Sequence, residues 1–269
     1  MQSTTKLPTV YKVIWLVFAA AYLVWTIFFL HWDTYPANET GIFAFWVYPV
    51  WIAVSTALLL LFPVYIMQML CREEKRSDKL FALISLIVGC VFITFYTFLK
   101  NPREYTASMI GLDYPWLFKL WGILSTESIF VNTLYMFRRY GYYSRGGVIT
   151  GSIGRAALFI TINVPSAGKD LILNSLRCMS HWTGALVFAF GAAIPVVMLL
   201  AHMSRSDKRF FGLMIFFCAV LATALTLLIM VGKDGLIEGV PVWSVYLVLL
   251  IVNFTHLFPP KPQLENNVI

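Results

Sequence analysis

The side chains best placed to do chemistry cluster in the middle of the chain, at positions 115–182. Lys119, Glu127, Arg155, Lys169, Asp170 and His181 there interrupt otherwise apolar runs. Glu127 stands out because it falls inside a span-length apolar stretch, in the tetrapeptide Ser125-Thr126-Glu127-Ser128. A carboxylate at the centre of a bilayer costs several kcal/mol unless it is paired, protonated or hydrated, so it is expected to face protein and to carry a role. A structural ion pair between helices explains it equally well. Arg155 is the natural partner, since both residues fall near the middle of their segments. On a helical period Ser128 and Asn132 share a face with Ser125, and Glu127 lies beside Asn132. Such a polar stripe fits a binding-site lining or a helix interface. The residues expected to bind a substrate are therefore Glu127, Arg155, Ser128, Asn132 and His181.

Other chemistry is poorly supplied. His31, His181, His202 and His256 fall at the ends of apolar runs, too scattered for a haem pair or metal cluster. A catalytic pairing of His181 with Glu127 and a serine lacks a nucleophile motif. Cys71, Cys90, Cys178 and Cys218 show no paired spacing, so neither a disulfide framework nor a zinc site is expected. No phosphate-cradling glycine loop and no HExxH helix occur. No cofactor, metal or catalytic residue is assigned. Lys119, one turn after Pro115, is expected to extend to the membrane surface.

The elements that must position these groups are membrane helices. The chain has 269 residues, 59% hydrophobic and only 12% charged, with a mean hydropathy of +0.77. The apolar runs are of helix length and do not alternate in the ten-residue pattern of barrel strands. The fold class is all-α: a polytopic bundle forming one integral membrane domain, 1–269, with a polar tail at 261–269. Seven crossings are expected at 13–30, 41–70, 80–99, 115–137, 179–203, 210–232 and 239–257. The stretch between 99 and 115 reads as a polar loop. Small residues Gly184, Ala185, Ala189, Gly191, Ala192 and Ala193 should let the helix that contains them approach a neighbour closely. No cleavable leader is expected, because the first apolar run is of full span length.

Segment 146–164 is open to two readings. It holds 19 residues with Arg155 near its centre and four glycines, and it either crosses as an eighth span or re-enters halfway. Recurring landmarks favour crossing. His31-Trp32, Ser77-Asp78-Lys79, Gly111-Leu112 and Pro115-Trp116 recur in order as His181-Trp182, Ser206-Asp207-Lys208, Gly235-Leu236 and Pro241-Val242-Trp243. That order reads as an internal repeat with halves 1–145 and 146–260. Parallel halves need an even number of crossings between equivalent points, which makes 146–164 a span.

The formal charge of +7 resides in short loops, where basic residues set orientation rather than bind nucleic acid. Their distribution places the N-terminus in the cytoplasm and the basic loops against anionic lipid of the bilayer. Asn38-Glu39-Thr40 forms a glycosylation sequon in a secretory setting. A transporter-like or lipid-handling protein, with a polar site where the halves meet, is the expected class. A membrane-embedded lipid-modifying enzyme and a subunit assembling with membrane-protein partners are the alternatives.

Overall fold

A computed structural model describes residues 75–142, 144–163 and 176–259, together with the isolated helical positions 13, 17 and 20. The expected crossings at 13–30 (those three positions apart) and 41–70, the sequon at Asn38, His31, Cys71, Lys169, Asp170 and the tail at 261–269 lie outside the described residues. Seven helices form, and no strand is present among the described residues: α1 Arg76–Thr97, α2 Ala107–Asp113, α3 Pro115–Arg139, α4 Arg145–Asn163, α5 Leu176–Ser204, α6 Lys208–Met230 and α7 Gly235–Phe254.

Local chemistry sets the boundaries. The Thr106 hydroxyl accepts from the Met109 N–H at 3.2 Å and so starts α2, a short helix in the stretch expected as a loop. Pro115 occupies the first turn of α3, where its missing N–H costs nothing. Arg138 and Arg139 occupy its last turn, where positive charge complements the carbonyl end. Gly141 then turns the chain at φ 60°. Asp207 and Asp234 cap α6 and α7 by accepting from Arg209 N–H and Ile237 N–H.

Four helical stretches are long and apolar enough to cross a membrane: Arg76–Thr97, His181–Ser204, Lys208–Met230 and Gly235–Phe254. Helices α3 and α4 fall short because Lys119, Glu127, Asn132, Arg155 and several hydroxyl side chains dilute them. They occupy the interior instead. α3 packs against α1, α2, α4, α5 and α7, and all residues from 128 to 137 are buried.

The six long helices alternate in direction. Contacts join residues 75–79, 138–142, 202–210 and 252–258 at one end of the bundle, and residues 96–118, 161, 181–182 and 233–238 at the other. Helix α4 therefore runs from the first end to the second, with no re-entrant turn in 145–163. Among the described residues the first end carries nine basic residues (Lys75, Arg76, Lys79, Arg138, Arg139, Arg145, Arg205, Lys208 and Arg209) against Asp78 and Asp207; the second carries Lys100, Arg103, Lys233 and the buried Lys119 against Glu104, Asp113, Asp234 and Glu238. Below, they are called the basic end and the mixed end.

Candidate functional site

Glu127 and Arg155 meet in the middle of the bundle. Arg155 Nε donates to Glu127 Oε1 at 2.6 Å, and Nη2 of the same guanidinium contacts the same oxygen. The Arg155 side chain is 1% exposed and that of Glu127 29%, so the cation is sealed while the carboxylate keeps partial access. The pair is permitted because α4 comes close to its neighbours. Gly151 lies against Phe130, and Gly154 meets the backbone of Gly191 on α5. A side chain at either position of the Gly154–Gly191 contact would collide with main chain.

The other expected site residues are used elsewhere. Ser128 donates to Ser85 O at 2.6 Å. The Asn132 amide nitrogen donates to Ala82 O, Ser85 Oγ and Ser128 O at 3.1, 3.1 and 2.9 Å. Both residues thus fasten α3 to α1, on the face away from Arg155. The amide oxygens of Asn132 and Asn253 have no hydrogen-bond partner among the described residues. His181 is buried at 3%; its Nδ1 is 3.0 Å from Thr161 O, and its ring packs 6.4 Å from Phe118. Glu127 lies nine residues beyond Phe118 on α3, about 13 Å of helix rise, so Glu127 and His181 belong to different levels and form no common constellation.

Two expectations need correction. His181 is enclosed by α3 and α4 rather than solvated at a span end, whereas His202 and His256 are exposed. Lys119 is 3% exposed and does not extend to the surface, because it lies on the crowded interior helix rather than on a peripheral one.

The large cavity lies elsewhere, in the mixed-end half between α3, α4, α5, α6 and α7, with a volume of about 410 Å³. That falls within the ~300–1,000 Å³ range of ligand pockets. Its walls are Ile129, Leu158, Phe188, Leu221, Val245 and the alanines 185, 189, 192 and 193, with few polar atoms. Ile129, Phe188 and Ala192 also border a small crevice that contains Arg155, so the ion pair sits directly behind the cavity wall.

Polar groups gather where the cavity meets the mixed end: Ser108, Thr161, His181, Trp182, Lys233 and Glu238. Lys233 Nζ lies 3.0 Å from Ser108 Oγ, 3.1 Å from Glu238 Oε1 and 4.4 Å from the centre of the Trp182 ring. Glu238 Oε2 accepts the Ala107 N–H at 2.8 Å. The Gly235 N–H donates to Pro102 O at 2.7 Å. Together these bonds tie α2 and the start of α7 into a polar collar around the opening.

Sequence reasoning missed this site. The small residues of α5 were read as one packing stripe, yet they form two. Gly184 and Gly191, seven apart, contact α4. Ala185, Ala189, Ala192 and Ala193 occupy the neighbouring face and border empty space. Two small-residue stripes on one helix, where packing needs only one, were the available signal. Lys233 was read only as a loop charge that sets orientation.

The helical architecture and four apolar helices define an integral membrane protein. Comparisons with protein-family models, curated proteins and solved structures return no match. Among the described residues no group of three or more His, Cys, Asp or Glu is placed to hold a metal ion.

Proposed function

We propose that the protein handles a lipid-like amphiphile, holding an alkyl chain in the cavity beneath the polar collar. The carrying observation is the combination of about 410 Å³ of apolar space with a lysine, a histidine and a tryptophan at its mouth. An unfilled apolar cavity forfeits dispersion contacts, and an alkyl chain restores them. Access from the bilayer is supported by Leu186, Phe190 and Leu225, which line the cavity and are 41, 54 and 43% exposed.

The finer expectations attach to this reading. The charge contrast between the ends supports a cytoplasmic basic end in contact with anionic lipid. The two expected crossings before α1 then return the N-terminus to the same side. Both Ser-Asp-Lys sequences fall at the basic end and both Gly-Leu pairs at the mixed end, as tandem halves would require. Asp78 and Asp207 both accept a backbone N–H at the start of their own helix, but Asp78 pairs with Arg138 of another helix and Asp207 with Arg209 of its own, so any duplication has diverged in the use of its landmarks. Movement of the amphiphile between leaflets would need the Glu127–Arg155 pair behind the wall to rearrange, which makes Glu127 the residue on which transport depends.

The test is mass spectrometry of lipid retained by the purified protein in mild detergent, compared with Ala189→Trp and Ala222→Trp variants that plug the cavity. The wild type should retain an alkyl-chain molecule and the plugged variants should lose most of it. Equal retention in all three proteins overturns the proposal.

A further inference from the structure

Resting on the reading of the cavity as an alkyl-chain site, we infer that its ligand carries an anionic head group, a carboxylate or phosphate, held by Lys233 at the mixed-end collar. The partners of Lys233 leave it able to hold an anion. Its ammonium group has three N–H donors and lines the cavity beside Ser108 and Glu238. Its side chain keeps 20% exposure, so the group is reachable as well as anchored.

Glu238 would ordinarily neutralise this lysine, but the carboxylate is divided between two partners. Oε1 faces Lys233, while Oε2 is held by the Ala107 N–H in the first turn of α7, where a negative charge is favoured by the helix end. Glu238 therefore remains satisfied when Lys233 turns a donor toward a ligand. Trp182, stacked under the ammonium at 4.4 Å, supports it from the side in either position.

The collar's remaining groups suit the same ligand. The Ser108 hydroxyl can donate to an anionic oxygen. Its present neighbour Thr106 Oγ1, 3.2 Å away, also accepts the Met109 N–H and stays satisfied if Ser108 rotates. Below the collar no charged side chain lines the cavity among the described residues, which favours a head group at the mouth with the chain pointing inward. By helix rise, Ala193, Val245 and Leu221 lie roughly 13–18 Å below the mixed end, which leaves room for a long chain. A cationic head group would meet Lys233 and could reach Glu238 only by displacing the lysine from it.

The experiment measures binding of four sixteen-carbon probes to the purified full chain in detergent: palmitate, hexadecyl phosphate, hexadecanol and hexadecyltrimethylammonium. Both anionic probes should bind at least roughly tenfold more tightly than hexadecanol, as a charge-assisted hydrogen bond provides. The cationic probe should bind most weakly. A difference between palmitate and hexadecyl phosphate identifies which anionic chemistry the collar prefers. Lys233→Gln should bring the anionic probes down to the level of hexadecanol while leaving hexadecanol unchanged, which also reports that the variant is folded. Lys233→Arg should keep the preference. Hexadecanol binding as tightly as palmitate to the wild type overturns the head-group assignment and leaves the cavity reading intact. Failure of all four probes to bind, or binding undiminished by Ala189→Trp, overturns both.

Discussion

The two ends of the bundle are built differently. At the basic end polar groups are consumed in closing the structure. Arg138 Nη1 pairs with Asp78 at 2.9 Å, with both side chains at or below 7% exposure. The Tyr140 hydroxyl lies 3.0 Å from Val252 O and 2.6 Å from Phe258 O, and Phe210 packs edge-on against the rings of Tyr140 and Phe258. At the mixed end a comparable set of polar groups, Ser108, Lys233, Glu238 and His181, encircles an opening. Similar side-chain chemistry thus closes one half and frames a pocket in the other. The difference lies in what meets beneath: the rings of Tyr140, Phe210 and Phe258 close on one another at the basic end, whereas at the mixed end the rings of Phe118 and Trp121 form one wall and α5 offers alanines across from them.

The Glu127–Arg155 pair lies at the boundary between these halves, and breaking it should have the largest effect. Glu127→Leu leaves Arg155 buried without its carboxylate, a loss of about 3–5 kcal/mol. Chemical unfolding in detergent should show that loss, and the double variant Glu127→Leu/Arg155→Met should recover most of it. A double variant no better than Glu127→Leu would mean that the pair is not coupled, and that the halves are held together by packing alone.

Packing differs on the two sides of α5. Gly154→Val drives a side chain into the backbone of Gly191 and should cost about 1–3 kcal/mol. Ala222→Trp faces the cavity, is exposed, and should leave the unfolding midpoint nearly unchanged. Equal destabilisation by both would show that the cavity is filled by protein in the folded chain, and the contrast between the halves would disappear.

These contrasts mark where the sequence was legible. Hydropathy located the core of each described apolar helix, and Pro115 with Arg138-Arg139 marked the ends of α3 to within two residues. Mid-span depth was enough to pair Glu127 with Arg155, because two isolated opposite charges in an apolar interior have few other partners. Helical periodicity placed Ser128 and Asn132 on one face but could not say which neighbour that face met. For this reason both were expected at the site and in fact fasten α1. The collar was illegible for a related reason: Ser108, Trp182, Lys233 and Glu238 come from three separate parts of the chain, each of which alone reads as an ordinary span end. A cavity has no local sequence pattern, since it is defined by atoms that several helices leave out.

The smallest effect concerns the surface of the mixed end, where Lys100 pairs with Asp113 and lies 4.5 Å from the centre of the Tyr105 ring. Hydrogen bonding to Asp113 raises the Lys100 pKa from its ordinary 10.5. A raised folded-state pKa means that the pair's contribution is complete below that ordinary value and disappears as pH rises through the folded-state value. Exposed pairs contribute well under ~1 kcal/mol, so the gap in unfolding midpoint between wild type and Lys100→Met should be small at pH 8 and vanish at alkaline pH, once Lys100 has lost its proton. A gap that persists at alkaline pH would assign the stabilisation to the Lys100 stem packing on Tyr105 instead of to its charge. The loop leading to the collar would then be held, like the basic end, by aromatic contact.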